Sequence, residues 1–352
     1  MNLQRKSLQL GAAMVVCAIV LRLISTGAPA ALVRTLSDPQ ALAVMLYLET
    51  GRIVRPAPQT PENQPVIPSE TTAPTAAPIM ETAPTTATAP GEIVEESTVL
   101  PVFSPQDASL VEINSVCGYA TDLSGWLSQP LSWDLTADGP AVLIVHTHGS
   151  ESYKNTENYQ ESSPYRTKDN GYNMVSVGEA LAKLLEENGI GVVHDKSLHD
   201  VASFNNAYGS ARKSIKQYLS DYPTIRMVLD LHRDAVGDGT GDQPGFSLQI
   251  GDKKAAKLMF VIGTDANGLA HPDWQKNMAL GVKLQALLEK QYPGVCRPIS
   301  FRKQRFNQDL SAGGLIVEVG AAGNTRQQAL EAVQLLGNAI VALSKGAATA
   351  VS

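Results

Sequence analysis

Cysteine is scarce: three occur in 352 residues, too few for the disulfide framework of a small secreted scaffold. Cys17 lies in an N-terminal apolar segment, and a bridge between Cys117 and Cys296 is allowed but not demanded by their spacing. Positive charge is short as well. The formal net charge of -6 argues against nucleic acid as a main partner, since a phosphate-binding face needs a basic surplus. No lysine or arginine occurs between Arg55 and Lys154, so this stretch will not cling to anionic lipid or anionic wall polymer. No G-x-S-x-G elbow surrounds Ser150 or Ser152, and neither Cys117 nor Cys296 has an activating neighbour. Serine or cysteine hydrolysis is therefore the weaker reading.

What is present falls into four parts. Residues 1–30 carry Arg5 and Lys6 ahead of LQLGAAMVVCAIVLRLIS, interrupted only by Gln9 and Arg22. That run is of near-spanning length, and an arginine near its end can snorkel. The leading basic residues predict a single-pass, N-in anchor with the rest of the chain extracytoplasmic. The alternative is a cleaved signal peptide ending at Ala28-Pro29-Ala30, where the proline disfavours processing. Residues 31–55 hold Ser37, Asp38 and Pro39 as helix-start signals for a juxtamembrane segment. Residues 56–102 are rich in proline, threonine and alanine, a composition that stays disordered and extended. At about 3.1 Å per residue it spans on the order of 100 Å, a reach suited to a target standing off the bilayer.

Residues 103–352 alternate short apolar runs with amphipathic ones. Strands are expected at Ala141 to Val145, Ile190 to Val193, Ile225 to Leu231, Pro298 to Phe301 and Leu315 to Val319. Strands at Phe246 to Ile250 and Ala255 to Gly263 bracket a GDKK turn, which points to a hairpin or paired strands. Helices are expected at Met174 to Asn188, Ala207 to Leu219, Pro272 to Gln291 and Thr325 to Leu343. Such alternation predicts an α/β fold with a mostly parallel sheet flanked by helices.

Three polar clusters stand at or near strand ends. The first apolar run breaks into His146, Thr147, His148, Gly149, Ser150 and Glu151; the third breaks into His232, Arg233 and Asp234; and Glu318 interrupts LIVEVG. His148 and Glu151 form an H-x-x-E pair, and with His232 they make two imidazoles and a carboxylate, a catalytic Zn2+ set that leaves one position open. His146 is the rival of His148, as a ligand or as a support behind it, and is otherwise a candidate for substrate contact. Asp169 is the rival of Glu151. Glu318, a carboxylate in an apolar run, suits a general base whose pKa burial raises. The plain readings are a helix cap for Glu151, an ion pair with Arg233 for Asp234 and a buried salt bridge for Glu318. Taken together, the clusters favour a metal site.

At these residues the chain resembles the stage II sporulation protein P family. The resemblance rests on HTHGSESY (His146 to Tyr153), DLHRDA (Asp230 to Ala235), FNQDLS (Phe306 to Ser311) and LIVEVGAAGNT (Leu315 to Thr325). YPGVCRPI and FVIGT agree as well, along with the layout of anchor and linker. The resemblance implies a zinc-dependent N-acetylmuramoyl-L-alanine amidase of peptidoglycan, with endopeptidase action on cross-links as an alternative or additional activity. It also implies a setting in sporulation engulfment beside the sporulation proteins D and M, and a fold like the wider zinc amidases. His148, His232 and Glu318 match those enzymes' two histidine ligands and catalytic glutamate. Their glutamate ligand lies nearer the first helix, where this chain has Asp169 and Asn170; Glu151 is taken here on its H-x-x-E distance. Asn307, Gln308 and Asp309 are expected to contact peptide or sugar amides. Arg166 and Arg233 are expected to pair with stem-peptide carboxylates. A non-catalytic wall-binding scaffold is the competing class.

Overall fold

Apolar runs too short for helices become strands, and the amphipathic runs between them become the helices that cover the sheet. The computed structural model describes residues 103–131, 135, 136, 138–237 and 241–349. All of these fall in one unit, Gly91–Ser352. The expected anchor, juxtamembrane segment and linker lie outside the described residues. Among the described residues no helix is long and apolar enough to cross a membrane.

In chain order the elements are β1 (Ile113–Ser115), α1 (Leu123–Ser128), β2 (Val142–Val145), α2 (Met174–Glu187), β3 (Val192–His194) and α3 (Ala207–Asp221). They continue with β4 (Met227–Asp234), β5 (Ser247–Ile250), β6 (Lys253–Ala256), β7 (Leu258–Ile262), α4 (Trp274–Gln291), β8 (Ile299–Phe301), β9 (Gly314–Ala321) and α5 (Arg326–Thr349). Seven strands form one sheet in the order β1-β8-β7-β9-β4-β2-β3. All neighbours are parallel except β7 and β9. The sheet is thus two parallel blocks joined along one antiparallel seam, which bears out the mostly parallel α/β fold.

Two details differ from the sequence-based expectation. The strand expected to end at Leu231 runs on to Asp234, because its pairing with β9 continues past His232 through an irregularity. His232 is therefore held within a strand, not in a loop after one. The expected strand from Ala255 to Gly263 divides at Lys257. Its first part, β6, turns back on β5 through Gly251 (φ +59°), and β7 joins the main sheet. A left-handed residue is what a glycine supplies at such a turn. Cys117 and Cys296 are free.

Successive strand residues face opposite sides of a sheet, and this alternation divides the core. On one face Val142, Ile144, Leu229, Leu231, Val317 and Val319 pack with residues of α2, α4 and α5. On the other, Leu143, Val145 and Val228 meet only Ala211 and Ile215 of α3 and a few neighbours. The second face is thus covered by a helix over its β2–β4 half. Within the larger core, α2 approaches β2 at Gly178, where an added Cβ would lie 2.5 Å from His146 Nε2 and 2.7 Å from His194 Nε2. Gly178→Ala is expected to cost about 1–3 kcal/mol through overpacking, read as a lower urea midpoint with the slope unchanged.

Candidate active site

Alternation along β2 decides between the two neighbouring histidines. Val145 faces α3, so His146 points to the opposite side. There it is fully buried, with Nδ1 3.2 Å from Leu231 O and Nε2 2.9 Å from His194 Nε2. Burial first, then the neighbouring His194, depresses its pKa to about 3. His146 is a neutral core group on the far side of the sheet. Past the strand end, His148 turns onto the α3 face. Its ring stacks on Phe204 (4.5 Å between centroids) and meets Tyr208 (5.7 Å) and His232 (5.5 Å) edge-on. Its Nδ1 is buried with no partner, and burial lowers its pKa.

The turn that carries His148 is tied to β4 by one carboxylate. Asp230 accepts hydrogen bonds from the Thr147 backbone N–H (2.8 Å) and hydroxyl (2.6 Å). Two residues along the same strand face, His232 brings Nε2 to 3.0 Å from Asp230 Oδ1, although the pair is not aligned as a hydrogen bond. Burial alone would depress the His232 pKa; Asp230, with Glu318 and Glu151, reverses this and lifts it to about 10. A histidine ringed by three carboxylates marks a pocket that favours positive charge.

Glu151 is buried and held from both sides. Its Oε1 lies 3.3 Å from Arg166 Nη2 and 3.6 Å from Arg233 Nη1. Its Oε2 stands 3.8 Å from His232 Nδ1 and accepts the Arg233 backbone N–H at 3.4 Å. Arg166 also pairs with Asp200 (2.8 Å) and lies over the Phe204 ring. Arg233 donates to the carbonyls of Ser152 and Tyr165. Both guanidiniums, expected at substrate carboxylates, lie in this structure beside the site's own glutamate. Asp169 is exposed, and its carboxylate accepts the Gly171 N–H within its own turn.

Register sets the fourth member. His232 of β4 is paired with Glu318 of β9, so the two side chains stand side by side on one face. Glu318 is the one residue of β9 that is not buried, and it opens onto a cleft of about 370 Å³ shared with Tyr208, Asp234 and Arg302. Its Oε2 is nevertheless shielded from water and has no partner. Burial, with Glu151 and Asp234 adding to it and His232 opposing, raises its pKa to about 8. Asp234 pairs with Arg297 (2.7 Å), not with its neighbour Arg233.

The FNQDLS stretch, expected at substrate amides, is hydrogen-bonded to neighbouring parts of the fold. Gln308 is buried, accepting the Gly263 N–H and donating to Val261 O, each at 2.7 Å. Asn307 donates to Tyr208 O at 3.0 Å, and Asp309 makes a two-pronged pair with Arg212 at 2.7 Å. Asn307 and Asp309 brace α3 against the β8–β9 connection, and Gln308 ties that connection to the end of β7. The Arg212 side chain of α3 is held in this brace. Sequence patterns alone did not single out Asp230, Tyr208, Phe204, Arg297 or Arg302. For Asp230 a signal existed: a carboxylate two residues before His232 in a strand must share its face.

Among the described residues no group of three His, Cys, Asp or Glu side chains is close enough together to hold a metal ion as they stand. The site has the donors but is open, with Glu151 Oε1 drawn to the arginines.

Fold and site together define the class: an α/β protein with an imidazole–carboxylate centre beside a polar cleft at the ends of parallel strands. The chain belongs to the family described as Stage II sporulation protein P (SpoIIP), which matches residues 66–341. A curated relative, Stage II sporulation protein P of Bacillus subtilis (strain 168), is 27% identical over 217 residues, or 58% of this chain and 50% of the relative. The match thus spans about half the length of that protein. Among solved structures, the amidase CwlD from Clostridioides difficile, in complex with the GerS lipoprotein, aligns at TM-score 0.38 and 14% identity, over 60% of this chain and 98% of that one. N-acetylmuramoyl-L-alanine amidase AmiC2 of Nostoc punctiforme aligns at 0.35 and 14%, over 61% and 99%.

The raised pKa values carry a stability prediction. In metal-free protein, Glu318 and His232 keep protons that the unfolded chain has released, between pH 4.5 and about 8 and between 6.5 and about 10 respectively. Stability is therefore full at the low end of each window and falls as pH rises, by at most about 1.4 kcal/mol per pH unit per group. Chelator-treated protein should lose denaturation midpoint from pH 5 to 9. In Glu318→Gln the decline between pH 5 and 6.5 should vanish; an unchanged decline there would contradict the assignment.

Proposed function

We propose that this protein is a zinc-dependent peptidoglycan hydrolase that cleaves the amide between N-acetylmuramic acid and the L-alanine of the stem peptide. The observation that carries this reading is the register of Glu318 with His232: an unpartnered carboxyl oxygen, on a group whose pKa burial raises, beside an imidazole at the mouth of an open cleft. Family membership supports the peptidoglycan setting.

The residues present fit zinc by donor chemistry. His148 Nδ1 has no partner, His232 is surrounded by carboxylates, and Glu151 keeps Oε2 towards His232 while Oε1 takes the guanidiniums. Two imidazoles and a carboxylate are a catalytic zinc set, and His148, Glu151 and His232 would hold the ion. Bound there, zinc supplies Lewis acidity towards an amide carbonyl and towards water.

The protein's own groups do the rest. Glu318 Oε2 takes a proton from the attacking water as its oxygen bonds to the carbonyl carbon. It then delivers that proton to the amide nitrogen as the C–N bond breaks, releasing a lactyl carboxylic acid and a free amine, which pass to carboxylate and ammonium when the acid's proton moves to the amine. A pKa near the working pH suits a group that must both accept and give. Asp230 fixes the His232 ring and the His148 turn, and Arg166 and Arg233 hold Glu151 in place. We extend the proposal to the whole chain: a domain carried outside the membrane on residues 1–102 and acting in engulfment beside sporulation proteins D and M.

Purified full-length protein with zinc should release peptide from soluble muramoyl-peptides, lose this with chelator and regain it with zinc. Glu318→Gln should keep its metal and lose activity by roughly 100-fold or more, while His148→Ala and His232→Ala should lose the metal and Asp169→Ala should keep it. Metal analysis and peptide release check these outcomes. Near-normal turnover by Glu318→Gln would refute the base. Cleavage of cross-linked peptides alone would move the reading to an endopeptidase, and no cleavage with no metal would favour a wall-binding scaffold.

A further inference from the structure

The α3 face of the sheet is roofed only in part. Over β2 and β4 it is covered by Ala211 and Ile215 of α3. Beyond Glu318 the same face continues through Ile316 of β9, Met259 and Val261 of β7, Ser300 of β8 and Asn114 of β1. These residues are in register across neighbouring strands, and they form the floor of the cleft that Glu318 enters. The trough therefore starts at the site and crosses the sheet towards its edge. Its rim carries two arginines. Arg297 is engaged, paired with Asp234 at 2.7 Å and lying over the Phe246 ring at 4.2 Å. Arg302 is exposed and lines the cleft; its guanidinium has no ion pair or hydrogen bond among the described residues.

We propose that this uncovered half of the sheet seats the peptide side of the substrate, and that Arg302 pairs with a free carboxylate on that peptide. The inference rests on the hydrolase reading and adds a specificity determinant to it. Charge complementarity selects the occupant. A neutral amino sugar makes no demand for a cation, whereas a stem peptide bears carboxylates within a few ångströms of the scissile amide. The floor suits such a guest, with Met259, Val261 and Ile316 for aliphatic side chains and Asn114 and Ser300 for peptide amides. A guanidinium fork matches a carboxylate in two-pronged geometry. The arginines expected from sequence to do this, Arg166 and Arg233, are occupied by Glu151.

The test uses full-length zinc-loaded protein and two probes, N-acetylmuramoyl-L-alanyl-D-glutamate and the same compound with its α-carboxyl as the amide. Wild type should prefer the acid. Arg302→Gln should raise KM for the acid roughly five- to thirty-fold, with kcat nearly unchanged and the amide unaffected, and Arg302→Lys should recover part of the loss. Equal KM for the two probes in wild type, or equal losses on both in Arg302→Gln, would overturn the assignment while leaving the hydrolase reading intact. If neither probe is cleaved, binding to the Glu318→Gln chain is read instead. Preference for the acid that disappears when Arg302→Gln is added keeps the subsite although the hydrolase reading fails; no preference overturns it.

Discussion

The site depends on one buried carboxylate. Asp230 reaches from the middle of β4 to the turn after β2 and takes two hydrogen bonds from Thr147, while its other neighbour is His232. Burial alone would favour its neutral form; His232 and the Thr147 bonds reverse this, and its pKa is lowered. A buried charge with its partners in place fixes geometry, and removing a partner leaves the charge uncompensated at a cost of several kcal/mol. Asp230 therefore sets the distance between the two strands' polar ends and, with it, the facing of His148 and His232.

Three further carboxylates around these histidines behave differently because their surroundings differ. Glu151 is embraced by two guanidiniums. Asp234 is neutralised by Arg297. Glu318 has no cationic partner within bonding distance, and burial pushes it up to about 8. Asp230 is tied to Thr147, Glu151 turns one oxygen towards His232 and leaves the other to the arginines, and Glu318 keeps an oxygen without a bonded partner at the edge of the cleft. The same logic explains Arg166, Arg233, Asn307, Gln308 and Asp309. Their polar atoms bond to the site's own carboxylate or to neighbouring elements, contacts of the kind that hold a centre in place.

The cleft follows from how the sheet is covered. One large apolar cluster covers one face, with residues from α1, α2, α4 and α5. The other face has a single helix, α3, over the β2–β4 block, and its N-terminal turn places Tyr208 between His148 and Phe306. Past that ring the floor is open. An antiparallel seam between β7 and β9 brings Met259 beside Glu318, so the trough and the carboxylate share one rigid surface.

Much of this architecture is legible in the order of residues. Runs such as AVLIV and IRMVLDL have no room for a helix between their flanking turns, and the periodic helices between them leave little choice but an α/β sheet. His148, Glu151, His232 and Glu318 are identifiable because polar groups ending or interrupting apolar runs must be rationalised by chemistry. Other features are not legible, because they depend on which strands become neighbours. The opposition of His146 to His148 follows from strand direction and helix cover. The pairing of His232 with Glu318 follows from the register of strands more than eighty residues apart. The occupation of Arg166 and Arg233, and the freedom of Arg302, follow from which acids the fold brings within reach. The sequence by itself determined the elements and the identities of the reactive side chains, since these are set by local periodicity and residue chemistry. Only the tertiary structure decided their partners, because hydrogen bonds and ion pairs act over a few ångströms between residues the chain holds far apart.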